Sequence, residues 1–170
     1  MRKRKIQNLP GTCHFITFST HQRRRLLDSP ETRDIVTGVL QEKLISQRGK
    51  CAGYVIMPNH VHALLHGEEG FNISAFIQVW KKTSSYRIKR FFAESLSNYA
   101  EKWPKDCPVW QPRFYDFNVD SDRKMNEKLD YMHHNPIEAK LCEYAHLWQW
   151  SSARFYQINE TAAVTITPMM

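Results

Sequence analysis

Two histidines, His60 and His62, stand two residues apart in Met57-Pro-Asn-His-Val-His62, and Ala63-Leu64-Leu65 follows them. The Pro-Asn pair predicts a turn opening into a strand. Successive strand side chains point to opposite faces, so both imidazoles share one face about 7 Å apart along the chain. The other face reads Val61, Ala63, Leu65 and suits a core. Two imidazoles fixed side by side are half of a metal site. Alone, the pair also fits ordinary strand histidines. A second chemical group comes much later, on a helix expected from about Asp120-Ser121 to Asn135, before Pro136. Met125, Leu129 and Met132 form its apolar stripe, and Lys124, Lys128, Tyr131 and Asn135 gather within about 60° of one another on a different face. Taken alone, that pattern fits an ordinary amphipathic helix with a surface tyrosine better than a site.

The elements that must position these groups read as follows. Residues 1–10 form a basic arm, and Cys13–Thr20 is a strand apolar on both faces, hence central, with His14 as a satisfied core or strand-end residue. Arg23, Arg24 and Arg25 lie in a loop. Ser29 caps a helix with Pro30 at its first position, carrying Ile35, Val36, Val39, Leu40 and Leu44, and Gly49 ends it. Cys51–Met57 is the next strand, joined by Pro58-Asn59 to the histidine strand as an antiparallel hairpin. Asn72 or Ser74 caps a long helix that buries Ile73, Phe76, Ile77, Trp80, Ile88 and Phe91 and carries Lys81, Lys82, Arg87, Lys89 and Arg90 on its polar side. Such a charge cluster fits a solvated face and phosphate contact about equally. After a loop over 98–108, Val109–Val119 is extended, and Pro112 makes it an edge strand or a bulged one. The order β-α-β-β-α-β predicts an α+β, ferredoxin-like antiparallel sheet with both helices on one face. Its first and third strands are central, which leaves the two histidines on the uncovered face.

The chain of 170 residues fits one domain, with a basic arm (1–10), a body (11–156) and a tail (157–170). Lys+Arg outnumber Asp+Glu by 24 to 17, for a net charge of +7. That balance favours a polyanion, nucleic acid first. Cys13, Cys51, Cys107 and Cys142 are scattered without a Cys-x-x-Cys pair and read as reduced core residues. No apolar stretch follows the basic start, and no run is long enough to span a bilayer. A soluble protein of the cytoplasm, associated with the nucleoid, is expected.

Four stretches carry a family resemblance. Met57-Pro-Asn-His-Val-His62 resembles the His-hydrophobe-His motif of HUH single-strand nucleases. Leu129-Asp-Tyr-Met-His-His-Asn-Pro136 is similar to the single-tyrosine helix of REP-associated tyrosine transposases, a bacterial group related to the smallest insertion-sequence transposases. Trp110-Gln-Pro-Arg-Phe-Tyr-Asp116 and Trp150-Ser-Ser152 fall in the matching places. The resemblance spans about residues 11 to 156. It implies Tyr131 as nucleophile and His60, His62 and Asn135 as metal ligands. It further implies hairpin DNA beside a short guide sequence as substrate, and a 5′-phosphotyrosine with a free 3′-hydroxyl as intermediate. The family's helix motif commonly continues Asn-Pro-x-x-Ala-Gly, and Lys140 stands at that glycine.

The chemistry is coherent. A phosphodiester repels nucleophiles, and a divalent ion on its oxygens withdraws charge and orients it for in-line attack. Two imidazoles and a carboxamide leave octahedral positions open, which suits Mg²⁺ or Mn²⁺ rather than zinc. Charge from the ion, Lys124 and Lys128 would favour the phenolate, and covalent attack conserves bond energy for rejoining. Arg2, Lys3, Arg4, Lys5, Arg23, Arg24, Arg25, Lys81, Lys82, Arg87, Lys89, Arg90, Arg113, Lys124 and Lys128 are the candidate DNA contacts, and His133 or His134 could touch DNA as well. The expected protein is a monomer or homodimer. Competing readings are a non-catalytic DNA- or RNA-binding protein of the same fold, a replication initiator or relaxase, and a retired transposase that binds its hairpin without cutting.

Overall fold

A computed structural model describes residues 12–95 and 107–169. The chain runs β1 (Cys13–Ser19), α1 (Pro30–Ser46), β2 (Gly49–Ile56), β3 (His60–Gly67), α2 (Ile73–Ser95), β4 (Tyr115–Val119), α3 (Asp122–Glu138) and α4 (Ala153–Ile158). Turns of 3-10 helix lie at His21–Arg23 and Ala145–Leu147. The strands make one antiparallel sheet in the order β2-β3-β1-β4. This is the expected α+β, ferredoxin-like arrangement with β1 and β3 central. The arm holding Arg2, Lys3, Arg4 and Lys5, and most of the 98–108 loop, lie outside the described residues. No helix among the described residues is long and apolar enough to cross a membrane.

Strand alternation sorts the side chains onto two faces. Phe18 pairs with Val61 across β1 and β3, and its ring packs edge-on against Trp80 of α2 at 5.0 Å. Ile16, Phe18, Val61, Ala63 and Leu65 therefore face the helices and are all buried. The Trp80 indole donates to the Val36 carbonyl at 3.0 Å and ties α2 to α1. Ser29 and Asn72 are the helix caps, accepting from the amides of Thr32 and Ala75; Ser74 is not. His14 is satisfied as expected, with Nδ1 3.0 Å from Asp116. Cys13, Cys51 and Cys107 are buried, and Cys142 is half-buried.

Three boundaries differ from the sequence reading. Arg48, not Gly49, turns the chain out of α1, in the left-handed region at φ 53°. Gly49 opens β2, where a Cβ would meet the Phe71 ring at 2.9 Å. Phe92 rather than Phe91 ends the buried stripe of α2, because it follows Ile88 at the i+4 spacing that keeps side chains on one helix face. The expected strand from Val109 shrinks to Tyr115–Val119. Pro112 interrupts it by lacking a donor, and Trp110 makes only an isolated bridge to Thr20.

The largest difference concerns the face expected to be open. Helix α3 lies across it, with Leu129 and Met132 buried. A Cβ on Gly53 would stand 2.6 Å from Leu129 Cδ2, so a glycine lets the helix sit this close to β2. The Trp-Ser-Ser motif locks the packing. The Ser152 hydroxyl accepts from the Tyr54 amide at 2.9 Å and lies 2.8 Å from Nε2 of His133 on α3. His133 is thus a buried anchor rather than a DNA contact, and burial lowers its pKa to about 4; His134 stays exposed. Ser151 bridges Val55 on the β2 edge, and the Trp150 indole donates to Asp34 at 2.7 Å. The tail, uninformative as sequence, docks on the same edge. Ile166 bridges Cys51, the Thr167 amide donates to the Cys51 carbonyl at 2.8 Å, and Val164 is fully buried.

Helix α3 also runs beyond Asn135, through Pro136 to Glu138. Pro136 sits in the last turn, where it gives up one i→i−4 hydrogen bond and only two helical residues follow it. The chain then reverses at Lys140, whose φ of 56° is left-handed, with the Leu141 amide donating to the Pro136 carbonyl at 2.9 Å. The family glycine belongs at a position of this geometry, and a lysine there costs about 1 kcal/mol. Lys140→Gly is therefore expected to raise the melting temperature by about 2–4 °C. A thermal melt of the two proteins checks it, and a fall in melting temperature would contradict the strain.

Candidate active site

The register of β1 against β3 places Thr17 opposite His62 and Ser19 opposite His60, on the face that α3 covers. His62 is 3% exposed, so it is buried under α3 and not on an open sheet. Its ring stacks on Phe15 at 5.5 Å, meets the His60 ring edge-on at 4.8 Å, and lies 5.3 Å from the Tyr131 ring. The first partnership that the sequence suggested, across two distant segments, is thus present in the fold. Tyr131 remains half exposed, with one side against Phe15 and His62 and the other open. Asn135, one turn on, donates its amide to the Tyr131 carbonyl at 3.1 Å and its side chain hydrogen bonds to His60.

The nitrogen atoms of the two rings are sorted by their partners. Asn59 Nδ2 donates to the Arg23 carbonyl at 3.3 Å, which turns its Oδ1 toward His60 Nδ1 at 2.7 Å. A carbonyl oxygen only accepts, so His60 Nδ1 carries the proton and Nε2 keeps its lone pair. His62 Nδ1 is held by Thr17 Oγ1 at 2.7 Å, and its buried Nε2 has no partner among the described residues. An orphaned buried nitrogen ordinarily costs about 1–3 kcal/mol. Burial lowers the pKa of His60 to about 4 and that of His62 to about 3. The Arg23 charge adds to both shifts, and the His60 and Lys128 charges add to that of His62. Both rings are neutral donors at pH 7, the form a metal needs.

Among the described residues, no three His, Cys, Asp or Glu side chains cluster closely enough for a metal ion. A ligand of another kind could complete such a set, and the Asn135 carboxamide reaches His60. Two imidazole nitrogens and an amide oxygen form an incomplete set without sulfur, which fits Mg²⁺ or Mn²⁺ with positions left for phosphate oxygens. Thr17, Asn59 and Phe15 were missed from sequence. Asn59 lies inside the motif and could have been suspected, whereas Thr17 and Phe15 emerge only from strand register.

The cations divide into groups. Lys128 Nζ lies over the rings of Phe15 and Phe117 at 5.0 and 4.9 Å, beside the tyrosine. Lys124 is paired with Asp120 at 2.8 Å. Arg23 is exposed at the His60 end of the sheet, on a turn where Gln22 and Arg23 are both left-handed at φ 54° and 53°. Arg24 reaches Cys107 Sγ at 3.3 Å, and Arg25 pairs with Asp28 at 2.7 Å. On α2, Arg87 pairs with Glu42 and Arg90 with Glu94, each at 2.6 Å, and Lys81 donates to the Pro112 carbonyl at 3.1 Å. Lys82, Lys89 and Arg113 are exposed. Because α2 packs on the other sheet face, its cations do not share the histidines' surface.

Comparison with known proteins agrees with this architecture. The family model described as Transposase IS200 like matches residues 11–135. A Haemophilus influenzae protein bearing the name REP-associated tyrosine transposase is 23% identical over 128 residues, covering 71% of this chain and 72% of that protein. Among solved structures, a REP-associated tyrosine transposase bound to a REP hairpin aligns with a TM-score of 0.71 at 17% identity, over 100% of this chain and 94% of the other. A transposase from Deinococcus radiodurans aligns at 0.52 with 19% identity, over 79% of this chain and 97% of the other. At these identities the structural likenesses show the fold, while the family model covers most of the sequence. The chain belongs to the IS200-like transposase family.

Proposed function

We propose that this transposase cuts and rejoins single-stranded DNA beside a hairpin, with Tyr131 as nucleophile and a divalent ion held by His60, His62 and Asn135. The observation that carries the reading is the placement of the Tyr131 ring 5.3 Å from His62, whose buried Nε2 has no partner among the described residues. A bound Mg²⁺ or Mn²⁺ would supply charge withdrawal from the scissile phosphate. The chain's own residues do the rest. Thr17 and Asn59 hold the two rings by Nδ1 and leave Nε2 facing the site. Lys128 adds positive charge near the phenol, and the edge contact with Phe15 limits how the tyrosine ring can turn. The phenol oxygen attacks phosphorus, the bond from phosphorus to O3′ breaks, and the products are a 5′-phosphotyrosine and a 3′-hydroxyl. Attack by a 3′-hydroxyl on the phosphotyrosine reverses the step and joins strands. The relative bound to a REP hairpin supports hairpin DNA as the substrate class. The half-exposed Tyr131 is consistent with a strand entering from solvent.

Incubation with hairpin-bearing single-stranded DNA and Mn²⁺ should produce a covalent protein–DNA adduct on a denaturing gel. It should be absent in Tyr131→Phe and with a chelator. An adduct persisting in Tyr131→Phe would transfer the role to Tyr115, which is also exposed and pairs with Thr17 across β1 and β4.

Metal affinity should depend on pH in a distinctive way. Imidazoles that titrate near 4 and 3 remain neutral at pH 5. Two ordinary histidines at about 6.5 would be mostly protonated there and would lose on the order of a thousand-fold in affinity. Mn²⁺ titrations at pH 7 and pH 5 should therefore differ by less than about ten-fold, with the loss coming below about pH 4. Thr17→Val should weaken Mn²⁺ binding about 10- to 100-fold by freeing the His62 ring, and unchanged affinity would remove Thr17 from the site.

A further inference from the structure

The turn between β1 and α1 is held to the histidine motif at three points. The Thr20 amide donates to the Asn59 carbonyl at 2.9 Å, Asn59 Nδ2 donates to the Arg23 carbonyl at 3.3 Å, and the Leu27 amide donates to the Pro58 carbonyl at 2.9 Å. Within this turn Gln22 and Arg23 are consecutive left-handed residues, and neither is glycine. Strain of that kind lasts only where surrounding contacts over-determine it, and it gathers at functional sites. Here the Thr20 hydroxyl donates to the Arg24 carbonyl at 2.6 Å and the Arg23 amide to the Thr20 carbonyl at 3.0 Å, which fixes the bend. Its product is an exposed Arg23 anchored beside His60. Of the three consecutive arginines, Arg24 reaches Cys107 Sγ and Arg25 pairs with Asp28. No carboxylate pairs with Arg23 among the described residues, and its charge is felt at both imidazoles. The contacts across the site have an order. The Tyr131 ring lies 5.3 Å from His62, the His62 ring 4.8 Å from His60, and Asn59 links His60 to Arg23. Tyrosine and arginine thus flank the histidine pair from opposite ends.

We propose that Arg23 is a catalytic residue whose guanidinium holds the departing O3′ of the cut strand. The role rests on the nuclease reading above and gives the leaving group a partner. In-line displacement puts the leaving oxygen opposite the attacking one. With the phenol at the His62 end, O3′ departs toward the His60 end, where Arg23 stands. When the bond from phosphorus to O3′ breaks, its electron pair stays on O3′, which takes a proton from water, while the phenol proton passes to solvent. Arginine keeps its own protons, so it acts by charge and hydrogen bonding rather than as an acid. A planar fork of donors suits an oxygen anion beside a phosphate. Lys128, over the Phe15 and Phe117 rings on the tyrosine side, serves the nucleophile instead. In the joining direction the same guanidinium stabilises the 3′-oxygen as it loses its proton to water and attacks the phosphotyrosine.

The test uses the full chain in single-turnover adduct assays with Mn²⁺ and saturating hairpin DNA that carries a single-stranded flank. One substrate is ordinary, and the other has sulfur in place of the bridging O3′ at the position where ordinary DNA is cut. A thiolate is a far weaker base than an alkoxide and leaves without help. Arg23→Gln should slow adduct formation about 100-fold on ordinary DNA and less than about five-fold on the sulfur-bridged DNA. Arg23→Lys, which keeps the charge and loses the fork, should fall between wild type and Arg23→Gln. Mn²⁺ affinity and melting temperature should match the wild type. Equal slowing on both substrates, or no slowing on either, would overturn the leaving-group role. So would a loss of Mn²⁺ affinity large enough to account for the slower reaction. A wild type that forms no adduct on either substrate would remove the nuclease reading and this role with it. An adduct formed equally fast by wild type and Arg23→Gln removes only the role of Arg23.

Discussion

The Ser152 hydroxyl is the contact on which the candidate site depends. It accepts from the Tyr54 amide on β2 and meets His133 on α3, so one small group joins the sheet edge to the helix carrying the tyrosine. Replacing it with a hydrogen would leave a buried amide and a buried ring nitrogen without partners, and such groups cost about 1–3 kcal/mol each. The contact sits two residues from Tyr131 along α3. It therefore sets the height and rotation of the helix just where the phenol must meet His62. Gly53 completes the seat by letting Leu129 approach the strand.

That seat explains why the motifs of this chain are so widely spaced. The histidine pair, the tyrosine helix and the Trp-Ser-Ser segment have no local reason to occur together. Each contributes one side of a single layer. β3 supplies two neutral imidazoles, α3 supplies a phenol and a carboxamide, and the segment after α3 staples the two. The Trp148 and Trp150 indoles secure the staple to Ile56 and Asp34, and Arg33 lies 3.8 Å over the Trp150 ring.

Electrostatics separates the two faces of the sheet. Under α3, burial keeps His60 and His62 neutral, and Arg23 and Lys128 reinforce that state while giving the surroundings a positive charge. On the α2 face Arg87 and Arg90 are held by carboxylates and Lys81 by carbonyls. A net charge of +7 is thus not a uniform coat. Among the described residues its cations include Arg23 and Lys128 beside the neutral imidazoles and a second group along α2.

The sequence by itself determined the strand and helix order, the sheet's central strands, and the pairing of His60 and His62 on one face. These follow from period-two and period-3.6 patterns, which are local and survive in one dimension. It also identified Tyr131 and Asn135 as neighbours on one helix face, since they are one turn apart. Only the tertiary structure decided that this face is covered rather than open, that His133 is an anchor, and that Thr17 holds His62. Nothing in the local pattern of β1 marks Thr17; its role comes from a strand register with residues 45 positions away. The tail likewise became meaningful only when Ile166 met the β2 edge, because an edge strand's unpaired groups are visible only once the sheet order is known.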